Sequence, residues 1–284
     1  MSRIEEIIRA ARDIPPFPKI ANQVLRKLED PAVNATDLAT LIKYDSAITA
    51  NVLKTCNAAY FGLTRKVSSL EDALLIVGHD TLKDIMVTSC SAQFYKGTAG
   101  EGYQLADGEL WRHSVATAIM ARQLAAKHIP GLDPGMAFTV GLLHDIGKSF
   151  ISRFVAEEFD RILDLAHGTA GTFIAAEQQV LGLNHAELGG MILQNWEFPS
   201  EMVEAVRSHH NEDALNRGPL AAAIALCNTL VISAGIGVGA DGLCGRVQGE
   251  GLGRYGITPL DLDRLMAAVI FEMEKAEEML NLSR

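Results

Sequence analysis

Apolar residues recur at steps of three and four along most of the chain, which is the period of an amphipathic helix, whereas strand-like alternation is nearly absent. Capping residues and prolines stand at the predicted helix starts: Pro18 before "KIANQVLRKLED", Asp45 before "SAITANVLKTCNAAY" and Ser69 at the head of "SLED". We expect Gly78 to end the helix after Ser69 and Asp80 to start the next one. The pattern predicts an all-α protein of about a dozen helices in two packed bundles.

Glycine-rich stretches divide this helical pattern. The segment "KGTAGEGYQLADG", residues 96–108, is the best candidate boundary, so we predict an N-terminal helical subdomain over 1–105 and a second helical subdomain over 106–284. Nine glycines within 234–256 predict a mobile loop in the second subdomain. The C-terminal helix "PLDLDRLMAAVIFEMEKAEEMLN" has apolar positions at helical spacing, which indicates core packing, with a homodimer contact as the alternative.

Composition limits the partners and the location that we expect. The 284 residues carry a net charge of −10, which would repel a phosphate backbone, so nucleic-acid binding is not expected. The four cysteines form no CxxC pair, as is typical of buried thiols in a reducing cytoplasm, and the N-terminal residues lack the apolar core of a signal peptide. The uncharged run from Leu220 to Ala240 could span a bilayer by length, but its small residues and Asn228 favour a buried helix that leads into the glycine-rich loop. We therefore expect a cytoplasmic protein without membrane contact.

Titratable residues interrupt the apolar run "TVGLLHDIGKSF", residues 139–150. His144 and Asp145 are adjacent, and Lys148 follows His144 at a spacing that would place both on one helix face. There Lys148 could hold a phosphate oxygen or pair with a carboxylate. We expect Gly147 to end this helix. Neutral imidazole and anionic oxygen together form a ligand set for a divalent metal ion.

Four further histidines could complete a metal centre. His113 lies within the predicted helix "LWRHSVATA", His185 opens another helix, and His209 and His210 close a third. Each has a simpler interpretation, as a hydrogen-bonded core histidine for His113 and as helix-end residues for the others. Taken together, they indicate a cluster for two ions about 3.5–4 Å apart, an arrangement that activates water for attack on a phosphoester.

The motif "GLLHDIGK", with "LWRHS" upstream, resembles the HD superfamily of metal-dependent phosphohydrolases. The N-terminal half, from "IPPFPKIANQVLRKLED" through "YDSAITANVLKTCNAAYFGL" to "VSSLEDALLIVGHDTLKDIMV", is similar to the HDOD domain, a bacterial signalling output module. The resemblance runs from about Ile14 to His210 and implies an N-terminal helical bundle packed on an HD-like helical bundle. It also implies that Lys148 matches a lysine of the HD-GYP phosphodiesterases. Matched by motif, the implied metal ligands are His113, His144 and Asp145 for one ion and His185, His209 and His210 for a second.

Departures from the family pattern leave two functions open. Asn228 stands where HD proteins have their last aspartate ligand, and no "GYP" signature follows the histidine pair. An amide oxygen binds a divalent metal more weakly than a carboxylate does. The first hypothesis is a regulatory module that binds unidentified signalling proteins and holds one or two divalent ions, iron, manganese or similar. The second is an active phosphohydrolase in which a metal-activated hydroxide attacks a nucleotide or phosphodiester and Lys148 is the catalytic residue that stabilises the phosphate charge.

Overall fold

A computed structural model describes residues 3–276 except 29, 31–32, 34, 43–44, 64, 98–99, 169–170, 212 and 245–248. Every regular element in these ranges is a helix, and none of the described residues belongs to a strand. The prediction of an all-α protein is therefore confirmed.

In the N-terminal part, two helices begin at side-chain caps that the sequence predicts. Its elements are α1 (Arg3–Arg12), α2 (Lys19–Lys27), α3 (Ala35–Ile42), α4 (Ser46–Cys56) and α5 (Leu70–Ser91). Asp45 caps α4 by accepting a hydrogen bond from Ile48 N at 2.9 Å, and Ser69 caps α5 by accepting one from Asp72 N at 3.1 Å. Gly78 interrupts α5 with a φ of 74°, a conformation that glycine adopts without strain. The predicted break at Gly78 is confirmed.

The remaining elements build the bundle that carries the histidines. Short 3₁₀ helices at Ala92–Tyr95 and Glu101–Tyr103 lead into it. Its helices are α6 (Glu109–His128), α7 (Pro134–Leu143), α8 (Ile146–Glu157), α9 (Phe159–His167), α10 (Phe173–Leu181), α11 (His185–Asn195), α12 (Ser200–Ser208), α13 (Pro219–Ser233), α14 (Gly249–Arg254) and α15 (Pro259–Lys275).

One continuous hydrophobic core contains buried residues from both the N-terminal and the C-terminal helices, from Ile7 to Ala276. Helix α7 packs closely on α6 because Gly141 has no side chain; a Cβ there would lie 2.7 Å from Cα of Ala118. Helix α13 is largely buried, which confirms the prediction of a core helix for this uncharged segment. Within the described ranges, no helix combines the length and the apolarity that a bilayer span requires. The division of the chain at 105/106 stays a prediction.

Two local predictions are wrong. Helix α7 ends at Leu143 rather than at Gly147, and α8 starts at Ile146, so His144 and Asp145 occupy a turn between two helices. Within the predicted mobile loop, Ala240–Cys244 and Gly249–Arg254 are helical, while 245–248 lie outside the described residues. The turn at His144 matters because it frees two adjacent side chains to point into the same space, which two neighbours on one helix cannot do easily.

Candidate metal centre

The turn between α7 and α8 places a carboxylate at the centre of the bundle. Asp145 is fully buried, and its two oxygens face different groups of imidazoles. On one side, Asp145 Oδ2 lies 3.4 Å from His144 Nε2 and 3.7 Å from His113 Nε2. On the other side, Asp145 Oδ1 lies 3.6 Å from Nε2 of both His185 and His209. His210 joins this second group, so the structure brings all six predicted ligand residues together in two sets that share Asp145.

Hydrogen bonds at the outer ring nitrogens fix the tautomers of four imidazoles. His144 Nδ1 donates to the Gly141 carbonyl at 2.8 Å, His209 Nδ1 to the Val206 carbonyl at 2.7 Å, and His113 Nδ1 to the Ile236 carbonyl at 3.1 Å. A carbonyl oxygen can only accept, so Nδ1 carries the proton in each ring and Nε2 keeps a free lone pair. This is the arrangement in which proteins present histidine to a metal.

A carboxylate orients the fourth imidazole. Glu177 on α10 is fully buried, and its Oε2 accepts from His185 Nδ1 at 2.7 Å and from His185 N at 3.1 Å. Its other oxygen accepts from Tyr103 Oη at 2.5 Å. The Asn184 side chain starts α11 by accepting from Glu187 N at 2.9 Å, which places His185 in the first turn of that helix. The Glu177 carboxylate therefore sets both the tautomer and the basicity of His185.

Five inward-facing atoms of this cluster have no hydrogen-bond partner among the described residues. Nε2 of His144, His185, His209 and His210, together with Oδ1 of Asp145, are buried and make no hydrogen bond. A buried polar atom without a partner costs about 1–3 kcal/mol, so five in one small space need an explanation. Ligand atoms that share one ion at about 2.1 Å lie roughly 3.0–3.4 Å apart, close to the separations around Asp145. The residues present therefore fit one divalent ion on each side of the carboxylate.

Asn228 occupies the place where the family resemblance implies an aspartate. Its Oδ1 lies 2.9 Å from His113 Nε2, and both residues are buried. Because His113 donates through Nδ1, Nε2 has no proton to offer to that oxygen. Two lone pairs at this distance match neighbouring ligands of one ion, and Asn228 is therefore the candidate fourth ligand of the first set.

Burial keeps three of the imidazoles neutral, which is the form that binds a metal. Desolvation lowers the pKa of His113 and of His209 to about 4, and it lowers the pKa of His210 well below its usual value. Burial alone would raise the pKa of Asp145, but the attraction of His144 and Lys148 outweighs it and lowers that pKa well below the ordinary value. At neutral pH, His113, His209 and His210 are thus uncharged and lie beside an ionised carboxylate.

Lys148 is already paired in this structure. Its Nζ donates to Asp145 Oδ2 at 2.6 Å and to Asp241 Oδ2 at 2.6 Å, and the residue is only 3% exposed. Burial alone would lower the pKa of Lys148, yet the two carboxylates together raise it above its usual value. Of the two roles that the sequence left open, carboxylate pairing is the one seen here. The predicted catalytic role of Lys148 stays a prediction.

Sequence reasoning missed two carboxylates of this site. Glu177 supports His185 from a different helix, and Asp241 reaches Lys148 across 93 positions of sequence. Neither carboxylate is separated from its partner by a number of residues that a known sequence motif would predict. The only signal was compositional, since Glu177 is the one acid in the otherwise uncharged helix "FIAAEQQVL" and Asp241 the one acid in "GIGVGADGLCG".

Fold and site together define an all-helical protein with a buried cluster of histidines around one aspartate. The chain belongs to the HDOD domain family, whose model matches residues 14–212. The family expected from the sequence is therefore confirmed.

Individual proteins are similar to this chain in sequence or in fold. An uncharacterised protein of Treponema pallidum (strain Nichols) is 25% identical over 199 residues, which is 70% of this chain but only 38% of that longer relative. The crystal structure of an HDOD domain protein of unknown function from Geobacter sulfurreducens has a TM-score of 0.70 at 24% identity and covers 99% of this chain and 98% of the other. A protein of Shewanella amazonensis SB2B, provisionally described as a phosphohydrolase, has a TM-score of 0.71 at 20% identity and covers 98% of each chain. These structural likenesses show the fold.

Proposed function

We propose that this protein is a signal-transduction module of the HDOD type whose buried centre holds divalent metal and which acts through contacts with other proteins rather than through turnover. The observation that carries the proposal is that candidate metal ligands are grouped together and that most of them are buried away from solvent. His144, Asp145 and His185 are at most 1% exposed, and the nearby Lys148 is held by two carboxylates. A phosphate-bearing substrate would therefore have to displace a carboxylate from Lys148.

The donor set supports a metal role for the centre. Imidazole nitrogens with one shared carboxylate suit iron, manganese and similar divalent ions. Bound metal would link α6, α8, α11 and α12 electrostatically, because the ligands of the two sets lie on or next to those helices. The chain's own contribution is to keep the ligand atoms buried and to orient four of the imidazoles through hydrogen bonds at Nδ1.

The proposed location is the cytoplasm, and the proposed partners are signalling proteins rather than nucleic acid or membrane. Cys56, Cys90 and Cys227 are free, buried thiols, as a reducing compartment favours. A second copy of the chain is a further candidate partner, because α15 exposes Ile270 and Phe271. Light scattering across a concentration series would test that contact, and Phe271→Ser would remove it.

The test of the regulatory proposal compares the wild type with a His144→Ala/Asp145→Ala variant, both as full chains. Metal analysis should find divalent ions in the wild type and little in the variant. Neither protein should hydrolyse a generic phosphodiester after incubation with manganese or ferrous iron. Turnover that follows metal loading and disappears in the variant would contradict the proposal.

Such turnover would establish the second candidate, a metal-dependent phosphohydrolase. Two ligand sets that share the Asp145 carboxylate favour it, since paired ions are the usual apparatus for phosphoester hydrolysis. The ions would supply an activated water and stabilise charge on the phosphate. Lys148 would then have to exchange Asp241 for a phosphate oxygen while keeping its contact with Asp145.

A further inference from the structure

A glycine-rich segment lies directly on the metal centre. We call residues 235–242, which follow α13, the strap. A Cβ added at Gly237 would lie 2.6 Å from His113 Cβ and 2.7 Å from the Glu109 carbonyl oxygen, so only glycine allows this approach to α6. The same segment supplies the Ile236 carbonyl that accepts from His113 Nδ1. The strap therefore touches a candidate metal ligand through its backbone.

The far end of the strap pairs with Lys148, a cation beside the centre. Asp241 Oδ2 lies 2.6 Å from Lys148 Nζ, and its side chain is only 9% exposed. Removing two charges from water costs several kcal/mol per ion, so a buried ion pair adds little net stability. Lys148 already has Asp145 as a partner, which makes a second carboxylate unnecessary for charge balance. The contact between Asp241 and Lys148 is therefore better explained by a functional role than by its contribution to stability.

We propose that the Asp241 carboxylate occupies an anion site on Lys148, so that the strap is an internal competitor of a phosphate-class ligand. The proposal rests on the proposed function in that it takes the metal centre as the place the ligand approaches. An ammonium group donates hydrogen bonds to a phosphate oxygen as readily as to a carboxylate oxygen. Asp241 lies beyond residues 14–212, the range that the family model matches. The competitor is thus a feature of this chain outside the family domain.

The construction of the strap suits displacement. Gly235, Gly237, Gly239 and Gly242 make up half of its residues, and the first two have φ values of 77° and 59°. Its hydrogen bond with His113 is made by a single carbonyl, so moving the strap also releases Nδ1 of that imidazole. Anion binding at Lys148 and metal retention at the first ligand set would therefore be coupled, and the coupling must be reciprocal.

The experiment titrates full-length protein with inorganic phosphate by calorimetry, after metal loading and removal of excess ion. Asp241→Asn removes the competing charge and should bind phosphate on the order of tenfold more tightly than the wild type. Asp241→Asn/Lys148→Met should lose that binding. Asp213→Asn, which removes an exposed pair with Arg217, is the matched control and should behave as the wild type. Hydrogen exchange over 235–242 should rise when phosphate binds to the wild type.

Equal phosphate affinity in the wild type and Asp241→Asn, or no phosphate binding by either, would overturn the inference. A misfolded Asp241→Asn protein, detected by circular dichroism, would also overturn it, because the contact would then be a structural requirement. Metal content separates this inference from the proposed function. A metal-free wild type would refute the metal centre, whereas the ratio of the two phosphate affinities would still decide the role of Asp241.

Discussion

Gly147→Ala is expected to separate the two helices that carry the second ligand set. Gly147 lies in the first turn of α8, where that helix meets the start of α11. A Cβ at this position would overlap the His185 carbonyl oxygen and lie 2.9 Å from Gly189 N. Both obstacles are backbone atoms, so rotation of a side chain cannot relieve the overlap. Only a movement of α11 away from α8 can do so.

The size of that movement decides the effect on metal binding. Relief of the overlap needs a separation of about 1 Å, whereas metal sites tolerate deviations of about 0.2 Å in ligand distance. His185 Nε2 now lies 3.6 Å from Asp145 Oδ1, so the shift would take His185 out of reach of an ion that stays bound to Asp145. Overpacking of this kind also destabilises a protein by about 1–3 kcal/mol.

The assay for Gly147→Ala is metal stoichiometry by mass spectrometry, together with urea unfolding. We expect the variant to lose the ion of the second set and to unfold at lower urea concentration than the wild type. Gly253→Ala is the matched control, because Gly253 lies in α14 with no atom within 4 Å of an added Cβ. Wild-type metal content and stability in Gly147→Ala would refute the geometry described for the two helices.

Three further predictions concern the ligands and their supports. Glu177→Gln weakens the acceptor of His185 Nδ1 and should reduce metal affinity of the second set about 10–100-fold in a chelator competition; unchanged affinity would show that the carboxylate is not needed. Asn228→Asp adds an anionic oxygen beside His113 Nε2 and should raise metal affinity of the first set, so a fall in affinity would exclude residue 228 as a ligand. Finally, the metal-free protein should lose stability as the pH falls from about 6.5 towards 4, because histidines of the unfolded chain bind protons in this range whereas folded His113 and His209, each with a pKa of about 4, do not. Each of the two residues should lower the free energy of unfolding by on the order of 3 kcal/mol across this range. Unfolding curves that do not change with pH would contradict the burial of both residues as neutral groups.

Local sequence patterns were sufficient for the helical fold. Asp45 and Ser69 could be predicted to begin helices because an N-cap is a contact between residues three positions apart. The helix break at Gly78 could be predicted for the same reason, since the backbone conformation that causes it belongs to a single residue. His144 and Asp145 stood out because charge within an apolar run requires a buried partner. Each of these signals is contained in a few neighbouring residues.

Long-range contacts account for what the sequence could not predict. The apolar pattern continues across His144, so it gives no sign that α7 ends there; the turn lets Asp145 reach imidazoles from several helices. Glu177 and Asp241 form their contacts only after α10 and the strap have packed on the bundle. The glycine-rich segment was read as mobile because glycine is permissive, whereas Gly237 is placed where a side chain would collide with α6.

The most direct test of the metal centre is anomalous X-ray diffraction from crystals of the full chain that has been loaded with manganese. The metal content of the same protein sample is measured alongside. The account predicts anomalous peaks beside Asp145, one within bonding distance of His113 and His144 Nε2 and one within bonding distance of His185 and His209 Nε2. Crystals of metal-treated protein without a peak at Asp145, and with those nitrogens bonded to water or to each other, would contradict it.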